Sequence, residues 1–296
     1  MTIPIDVSLV RRLIDAQFPQ WSDLPIKPVA FSGWDNRTFH LGTEMTVRLP
    51  SASFYALQVE KEQLWLPYLA PHLSLPIPTP LAKGEPGADY PWPWSIYRWI
   101  EGQTASIERI KDMELFAADL AQFLLELQKI DAEGGPVAGE HSFYRGGALS
   151  TYDAEVQEAI KILDRHTDTE IFSSLWSEAL SESWQGKPVW IHGDIAVGNL
   201  LVKEGCLCAV IDFGQLAIGD PACDLVIAWT FFKEESRNTF RKVLQLDTAT
   251  WARARGWALW KALIVCAKLP GTNPLDVEKS WNVIKEIITD YNITNK

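Results

Sequence analysis

The chain has 296 residues, of which 47% are hydrophobic, and it carries a formal net charge of −11 at pH 7. This length allows one large or two-lobed domain with a sizeable core, and the acidic balance argues against nucleic acid as the main partner, because phosphate backbones require clustered Lys and Arg. The sequence contains neither an apolar stretch long enough for a transmembrane helix nor a signal peptide, so we expect a cytoplasmic protein without a membrane partner.

The first hundred residues predict a small sheet with one main helix. Asp6 can cap an initial helix, because the apolar residues that follow it share one helical face. Short apolar runs between turn residues predict strands at 28–31, 38–41, 45–49 and 94–99. A helix is expected at about 55–70, and prolines at 76, 78 and 80 interrupt the chain before the last of these strands.

Beyond residue 104 the apolar residues recur at helical spacing. The expected helices cover residues 107–130, 151–165, 169–182, 222–233, 249–268 and 276–290. The only further strands are expected around residues 188–211. The fold class is therefore predicted as α+β, with a small N-terminal lobe that has an antiparallel sheet and one main helix, and a larger, mostly helical C-terminal lobe.

The four cysteines lie in apolar surroundings, at Cys206, Cys208, Cys223 and Cys266. Cys206 and Cys208 share one face of a strand, but no second pair with metal-ligand spacing and no supporting histidines accompany them. A zinc site is therefore not expected. Buried free thiols are the plain interpretation.

The most informative segment of the chain runs from His192 to Asp212. Asp194 and Asn199 lie in a loop between two apolar runs, and Asp212 follows the next run, so all three are expected at the ends of buried strands. Phosphoryl transfer needs such a set, because one carboxylate must meet the proton of an incoming hydroxyl while an amide oxygen and a second carboxylate hold Mg²⁺ against the phosphates. We therefore predict Asp194 as the catalytic group and Asn199 and Asp212 as metal ligands.

Three polar neighbours of this set are predicted to have structural roles near the site. His192 is expected to form hydrogen bonds rather than bind a metal, because one histidine alone rarely makes a metal site. Asp220 could bind a substrate ammonium group, but capping a helix that starts at Pro221 explains it more simply. Asp224 is expected to be a buried partner of the catalytic loop.

The separate triplets His-Gly-Asp and Asp-Phe-Gly are weak signals, but their order and spacing together argue against chance. The segment resembles the catalytic and metal-binding part of the aminoglycoside phosphotransferase family, whose members are small-molecule relatives of the protein kinases within the aminoglycoside phosphotransferase/choline kinase superfamily. Protein kinases carry His-Arg-Asp in the matching loop. The resemblance covers about residues 30–265, with further matches at 33–36, 47–50, 61–62, 99–102 and 219–225.

The resemblance implies a bilobal, protein-kinase-like fold that uses Mg²⁺ and takes ATP or GTP as the phosphoryl donor. Residues 1–100 would form the nucleotide-binding lobe and residues 101–296 the catalytic and substrate-binding lobe, with a hinge at about 98–104. Arg48 lies on the strand where kinases carry the lysine that binds the α- and β-phosphates, and Glu62 would be its ion-pair partner. A surface position at the end of a strand is the alternative for Arg48.

Other nucleotide-binding positions also follow from the resemblance. Ser32 and Gly33 would belong to a strand-turn-strand that folds over the nucleotide, although a single glycine makes a weak phosphate loop. The backbone groups of Arg98 and Ile100 would hydrogen-bond the edge of the base. The sequence has no G-x-x-x-x-G-K-[ST] motif, which argues against a P-loop nucleotide kinase.

The predicted acceptor is a hydroxyl of a small molecule, and the matches in the front half favour an aminoglycoside or a related antibiotic, and with it a role in antibiotic resistance. A kinase of an endogenous metabolite, such as an amino alcohol, a sugar or a sugar-amine, is the alternative. A catalytically silent nucleotide-binding module is the second alternative. The acid-rich segment 151–186 is compatible with a cationic substrate, although a solvated helix face explains it more simply. The sequence leaves the oligomeric state open.

Overall fold

The computed structural model describes residues 4–30, 33, 35–165 and 167–294. Its N-terminal part contains helices α1 (Val7–Gln17) and α2 (Ser53–Leu69) and strands β1 (Ile26–Pro28), β2 (Asn36–Leu41), β3 (Met45–Pro50), β4 (Pro80–Gly84) and β5 (Trp94–Arg98). The strands pair antiparallel in one sheet, in the order β1-β2-β3-β5-β4.

Two helices pack with this sheet. Helix α1 begins at Asp6, whose carboxylate accepts a hydrogen bond from the Leu9 N–H at 2.8 Å, and the apolar face of α1 shares a core with β2, β3 and β5. Helix α2 follows β3, and its Gln63 donates to the Ala82 carbonyl at 3.1 Å and to the Ser95 hydroxyl at 3.0 Å. These contacts fix α2 against β4 and β5.

The C-terminal part is mostly helical. Its helices are α3 (Met113–Lys129), α4 (Asp153–Leu163), α5 (Glu170–Ser181), α6 (Ile227–Thr230), α7 (Glu234–Leu244), α8 (Thr248–Cys266) and α9 (Val277–Thr294). Two small antiparallel sheets accompany them, formed by β6 (Gln103–Thr104), β8 (Leu200–Lys203) and β9 (Cys206–Val210), and by β7 (Val189–Ile191) and β10 (Ala217–Gly219). The predicted α+β architecture is thus confirmed.

Helix α8 runs through the centre of the C-terminal part, and most of its residues are buried, including two arginines. Each arginine has an acidic partner, since Arg253 contacts Asp220 at 2.7 Å and Arg255 contacts Glu178 at 2.8 Å. Pairing of this kind offsets the large cost of removing a charge from water. It allows α8 to carry charged groups through an otherwise apolar core.

Several sequence predictions of individual elements were wrong in their limits. The first strand is β1, which precedes the predicted 28–31, and residue 31 lies outside the described residues. The predicted helix at 107–130 begins only at Met113, where Asp112 accepts hydrogen bonds from the backbone and so caps it. The predicted helix at 222–233 is a 3-10 helix over Pro221–Leu225 followed by the short α6.

Strand β4 and helix α7 were not predicted at all. Proline suggested a break, but Pro80 is the first residue of β4 at the edge of the sheet, where the missing N–H costs no ladder hydrogen bond. Helix α7 was missed because a charged residue, Arg237, occupies one of its buried positions, where it pairs with Glu286 at 2.6 Å. A pattern of apolar residues alone therefore does not reveal this helix.

The prediction of four buried thiols was wrong for two of them. Cys223 and Cys266 are buried, but Cys206 is exposed and Cys208 is intermediate. Side chains alternate along a strand, and in β9 Leu207 and Ala209 take the core-facing side. Within the described part of the chain, no helix combines the length and apolarity that crossing a membrane requires.

Candidate active site

The loop after β7 holds Asp194 and Asn199 against each other. The Asn199 side-chain amide donates to the Asp194 carbonyl oxygen at 2.9 Å and to its carboxylate at 3.1 Å. The Asn199 carbonyl accepts the N–H of Ile211 at 2.8 Å, which brings the residue before Asp212 beside the loop. The structure therefore brings together the three residues that the sequence singled out.

His192 and Asp224 hold this loop in place through hydrogen bonds inside the protein. The Asp224 carboxylate accepts the backbone N–H groups of His192 and Gly193, each at 2.7 Å, and it is fully buried. Burial raises the pKa of Asp224 above its ordinary value, while the two backbone N–H donors oppose that rise. The contacts of Asp224 are those of a positioning group inside the protein.

The ring of His192 joins the loop to the next strand. Its Nδ1 accepts the Asp194 N–H at 3.1 Å, and its Nε2 lies 3.0 Å from the Ile211 carbonyl. This pattern requires the proton on Nε2, because Nδ1 acts as an acceptor. Both ring nitrogens are used inside the protein, which leaves neither for a metal.

Gly193 occupies a position that a side chain would disturb. Its φ is +84°, in the left-handed region, and a Cβ there would lie 2.6 Å from the Gln215 carbonyl oxygen. The neighbouring Gly198 has open space instead, with nothing within 4 Å of a Cβ. The close approach of Gln215 thus explains the glycine directly before Asp194.

Arg48 links the N-terminal sheet to Asp212. Its guanidinium contacts the Asp212 carboxylate at 2.8 Å and Glu62 at 3.5 Å, and it lies 5.6 Å from the centre of the Tyr97 ring. Tyr97 donates its hydroxyl proton to the other oxygen of Glu62. The predicted pair of Arg48 and Glu62 is present, with Arg48 largely buried rather than on the surface.

The charge of Asp212 is stabilised by this contact. Burial opposes ionisation of Asp212, but the nearby Arg48 prevails and lowers the pKa of the carboxyl below its ordinary value. Its side chain is still 36% exposed, so a ligand can reach it. Asp212 itself adopts a left-handed backbone with φ 67°, as the chain turns out of β9.

Asp35 is a third carboxylate at this place, and the sequence analysis did not select it. Burial and the nearby charge of Asp212 raise the pKa of Asp35, with Asp194 adding to the effect, whereas hydrogen bonds from Tyr55 and Gln58 oppose it. Like charges held close together disfavour joint ionisation. A bound cation would relieve that repulsion.

The donor set suits Mg²⁺. Among the described residues no group of three or more His, Cys, Asp or Glu side chains is arranged to hold a metal. Mg²⁺, however, is usually bound by one or two carboxylates together with phosphate oxygens and water. Asp212 offers a charged oxygen, and Asn199 keeps its amide oxygen free because its nitrogen makes the contacts with Asp194. The chemistry of this donor set, one carboxylate that is 36% exposed and one amide oxygen, is the structural observation that fits a cation here.

The other predicted nucleotide-binding residues are placed as follows. Ser32 lies outside the described residues, and Gly33 is exposed, with no described atom within 4 Å of a Cβ. The Arg98 N–H donates to the Thr79 carbonyl at 2.9 Å, and its side chain is exposed. Ile100 is half-buried and follows β5.

Asp220, which was predicted to be structural, caps the 3-10 helix by accepting the Ala222 N–H at 3.0 Å and also pairs with Arg253.

A cavity of about 580 Å³ lies next to Asp35. Its lining comes from Asp35, the loop between α3 and α4, helix α4 and the C-terminal half of α8. The charged residues are Asp35, Arg145, Glu155, Glu158 and Lys261, and the aromatic ones are Phe143, Tyr152 and Trp260. Trp257 and Trp260 of α8 are buried, and Trp260 also faces the cavity.

Comparisons with known proteins bear on this arrangement. Residues 25–257 match the model of the phosphotransferase enzyme family, abbreviated APH. An aminoglycoside 3'-phosphotransferase of Escherichia coli is 28% identical over 156 residues, which are 51% of this chain and 57% of that protein. The chain thus aligns with little more than half the length of this relative.

Solved structures match over nearly the whole chain. The GDP complex of an aminoglycoside 2'-phosphotransferase-IIIa variant has a TM-score of 0.77 at 19% identity, covering 98% of this chain and 100% of that one. A macrolide 2'-phosphotransferase of Brachybacterium faecium has a TM-score of 0.61 at 18% identity, covering 95% and 98%. At these identities the matches establish the fold.

Proposed function

Because the chain belongs to the phosphotransferase enzyme family, we propose that it transfers the γ-phosphate of ATP or GTP to a hydroxyl group of a small molecule. The observation that carries the proposal is the hydrogen-bonded arrangement of Asp194 and Asn199 next to Asp212. It supplies a carboxylate for the acceptor and two hard oxygen ligands for a cation within one site.

In this reaction the acceptor oxygen forms a bond to the γ-phosphorus, the bond from that phosphorus to the bridging oxygen breaks, and the nucleoside diphosphate leaves. Asp194 orients the hydroxyl and receives its proton. The Asn199 amide, which donates to the Asp194 carboxylate at 3.1 Å, holds that carboxylate in place. The site therefore acts mainly by positioning the reactants, which can lower the activation barrier by several kcal/mol.

Asn199 and Asp212 would hold Mg²⁺, which neutralises charge on the phosphate oxygens when it is bound. Arg48 would bind a phosphate group of the donor, since a guanidinium makes strong charge-assisted contacts with phosphate. Its present contact with Asp212 at 2.8 Å keeps the guanidinium at the metal site. A nucleotide donor is also supported by the GDP complex of the structural relative.

Two acceptor classes remain as candidates. The relatives named above are aminoglycoside and macrolide phosphotransferases, which supports an antibiotic acceptor and a role in resistance. Membership of a family does not fix the substrate, so an endogenous metabolite is kept as the alternative acceptor. A catalytically silent nucleotide-binding module has no use for a carboxylate aimed at an acceptor, and we rank it last.

The decisive experiment is a transfer assay with labelled Mg-ATP and Mg-GTP against a panel of aminoglycosides, macrolides, sugars and amino alcohols. Asp194→Asn keeps the size of the side chain and is expected to lower transfer by about 10²–10⁴-fold, with nucleotide affinity nearly unchanged. Equal loss of transfer and nucleotide binding would remove Asp194 from its assigned role. Nucleotide binding without transfer to any acceptor would favour the silent module.

A further inference from the structure

The cavity of about 580 Å³ described above, which we take as the acceptor cavity, holds the guanidinium of Arg145 in a constrained position. Arg145 belongs to the loop between α3 and α4, and its guanidinium lies 5.1 Å from the centre of the Trp257 ring and 4.9 Å from that of Trp260. The two preceding residues, Phe143 and Tyr144, both have a positive φ, of 49° and 52°. Such backbone is costly for residues other than glycine, so this loop keeps a strained shape that presents Arg145 to the cavity.

Arg145 has no acidic partner, in contrast to the buried arginines of α7 and α8. Arg237, Arg253 and Arg255 each contact a carboxylate at 2.6 to 2.8 Å. Among the described residues no carboxylate forms an ion pair with Arg145 within 4.0 Å, and its Nε is buried without a hydrogen-bond partner. A buried donor without an acceptor is unfavourable. A ligand that supplies an acceptor would remove that cost.

Lys261 is the second cation of the same cavity. No described carboxylate lies within ion-pair distance of it. Lys261 as a whole is exposed, but partial burial of its ammonium group and the nearby charge of Arg145 lower the pKa of Lys261, whereas Asp194 and Glu155 oppose that fall. Arg145 and Lys261 line the same cavity, so their positive charges repel each other there.

The carboxylates of the cavity do not cancel these charges by direct contact. Glu155 and Glu158 both come from α4, and Glu155 accepts the Trp260 Nε1–H at 2.8 Å. Asp35 lies near Asp212, whose charge, together with burial, raises the pKa of Asp35. The positive pair is thus left without a counter-charge in contact, although the chain as a whole carries −11.

We propose that Arg145 and Lys261 form a subsite for an anionic group of the acceptor, a carboxylate or a phosphate, so that the substrate is a hydroxyl compound with a negative charge. This inference rests on the proposed function. Guanidinium groups bind such anions through two parallel hydrogen bonds. A polycationic acceptor would instead place positive charge against Arg145 and Lys261.

The test uses acceptor pairs that share their hydroxyl groups and differ in one charge, namely glucuronate and galacturonate, each with its methyl ester, beside kanamycin. The anionic member of a pair is expected to have the lower KM. Arg145→Gln should raise the KM for the anionic member by about 10–100-fold, the effect of losing a charged hydrogen bond, and leave the neutral member unchanged. Arg145→Lys, which keeps the charge, should recover part of the affinity.

Binding is measured separately by titrating inorganic phosphate and citrate while recording tryptophan fluorescence, with the nucleotide site filled by a non-hydrolysable Mg-ATP analogue. Because Trp257 and Trp260 flank Arg145, a saturable signal is expected in the wild type and a weakened one in Lys261→Gln. Lys279→Gln removes one positive charge at an exposed position outside the cavity and serves as the control. Melting curves confirm that each variant is folded.

The outcomes separate this inference from the proposed function. Transfer to neutral or polycationic acceptors, with no gain from an anion and no effect of Arg145→Gln, overturns the subsite and leaves the phosphotransferase in place. A rise in the KM for nucleotide in Arg145→Gln also overturns it, since the arginine would then serve the donor. Saturable anion binding without transfer to any acceptor supports the subsite and counts against the proposed function. If the protein shows no saturable anion binding and no transfer to any acceptor, the subsite is refuted.

Discussion

Replacing Gly193 with alanine tests whether the shape of the loop places Asp194. The new Cβ would lie 2.6 Å from the Gln215 carbonyl oxygen, at a φ of +84°. The left-handed conformation costs alanine about 1–2 kcal/mol, and forcing an extra carbon into a packed place costs about 1–3 kcal/mol. We therefore expect a destabilisation of about 2–5 kcal/mol. Because unfolding entropy is about 2.1 cal/mol/K per residue, a chain of 296 residues should lose about 3–8 °C in melting temperature.

The same change should move the candidate catalytic carboxylate, since Asp194 follows Gly193 directly. A displacement of this kind can lower turnover by about 10²-fold, which we would measure as kcat with the best acceptor of the panel. Gly198→Ala is the matched control in the same loop, because nothing lies within 4 Å of its Cβ, and it should leave both properties nearly unchanged. If the two alanine variants behaved alike in melting and in kcat, the steric explanation of Gly193 would be refuted.

Three further predictions concern groups outside the loop. Arg48→Lys keeps the charge but loses the contact with Asp212 at 2.8 Å, so the KM for nucleotide should rise by about 10-fold or more; an unchanged KM would remove Arg48 from the donor site. Although burial opposes its charge, hydrogen bonds from Arg241 lower the pKa of Asp290 below 3.8, so its stabilisation is present above about pH 4 and is lost as the pH falls. Asp290→Asn should therefore cost about 3–5 kcal/mol in urea unfolding at pH 7 and progressively less as the pH falls below about 4, and a cost that does not change with pH would contradict the ion pair. Cys206 is exposed, whereas burial raises the pKa of the Cys223 thiol well above its ordinary value, so a thiol reagent should modify Cys206 first in the native protein; prior modification of Cys223, read by mass spectrometry, would contradict the fold there.

The part of the site that could be predicted from the sequence is the part built from one short segment. Asp194 and Asn199 are five residues apart, and Asp212 follows after a single hairpin, so local strand and turn signals were enough to place them together. The support from Asp224 was also foreseeable, because it follows Asp212 closely along the chain. The order of the residues along this one short segment is enough to predict where these side chains lie.

The rest of the site depends on distant segments. Asp35, Arg145 and Lys261 come from the N-terminal sheet, a loop and helix α8, and no spacing rule links them. The signal for Arg145 was present only as a charged residue before two glycines in a long loop. Its pairing with Trp257 and Trp260 arises from the packing of that loop on α8. Tertiary contacts of this kind leave no local pattern.

Overall charge and the charges that line the cavity carry different information about the acceptor. The net charge of −11 and the acid-rich segment 151–186 are compatible with a cationic substrate, but a ligand responds to the groups within a few ångströms of it, since more distant exposed charges are screened by salt. In the segment from 151 to 186, Asp153 accepts the Trp176 Nε1–H at 2.7 Å and Glu178 pairs with Arg255. These two carboxylates are used in folding. Glu155 and Glu158 of the same segment line the cavity together with Asp35, Arg145 and Lys261, so the proposed anion subsite rests on where the two cations lie in the cavity and not on the sum of charges over the chain.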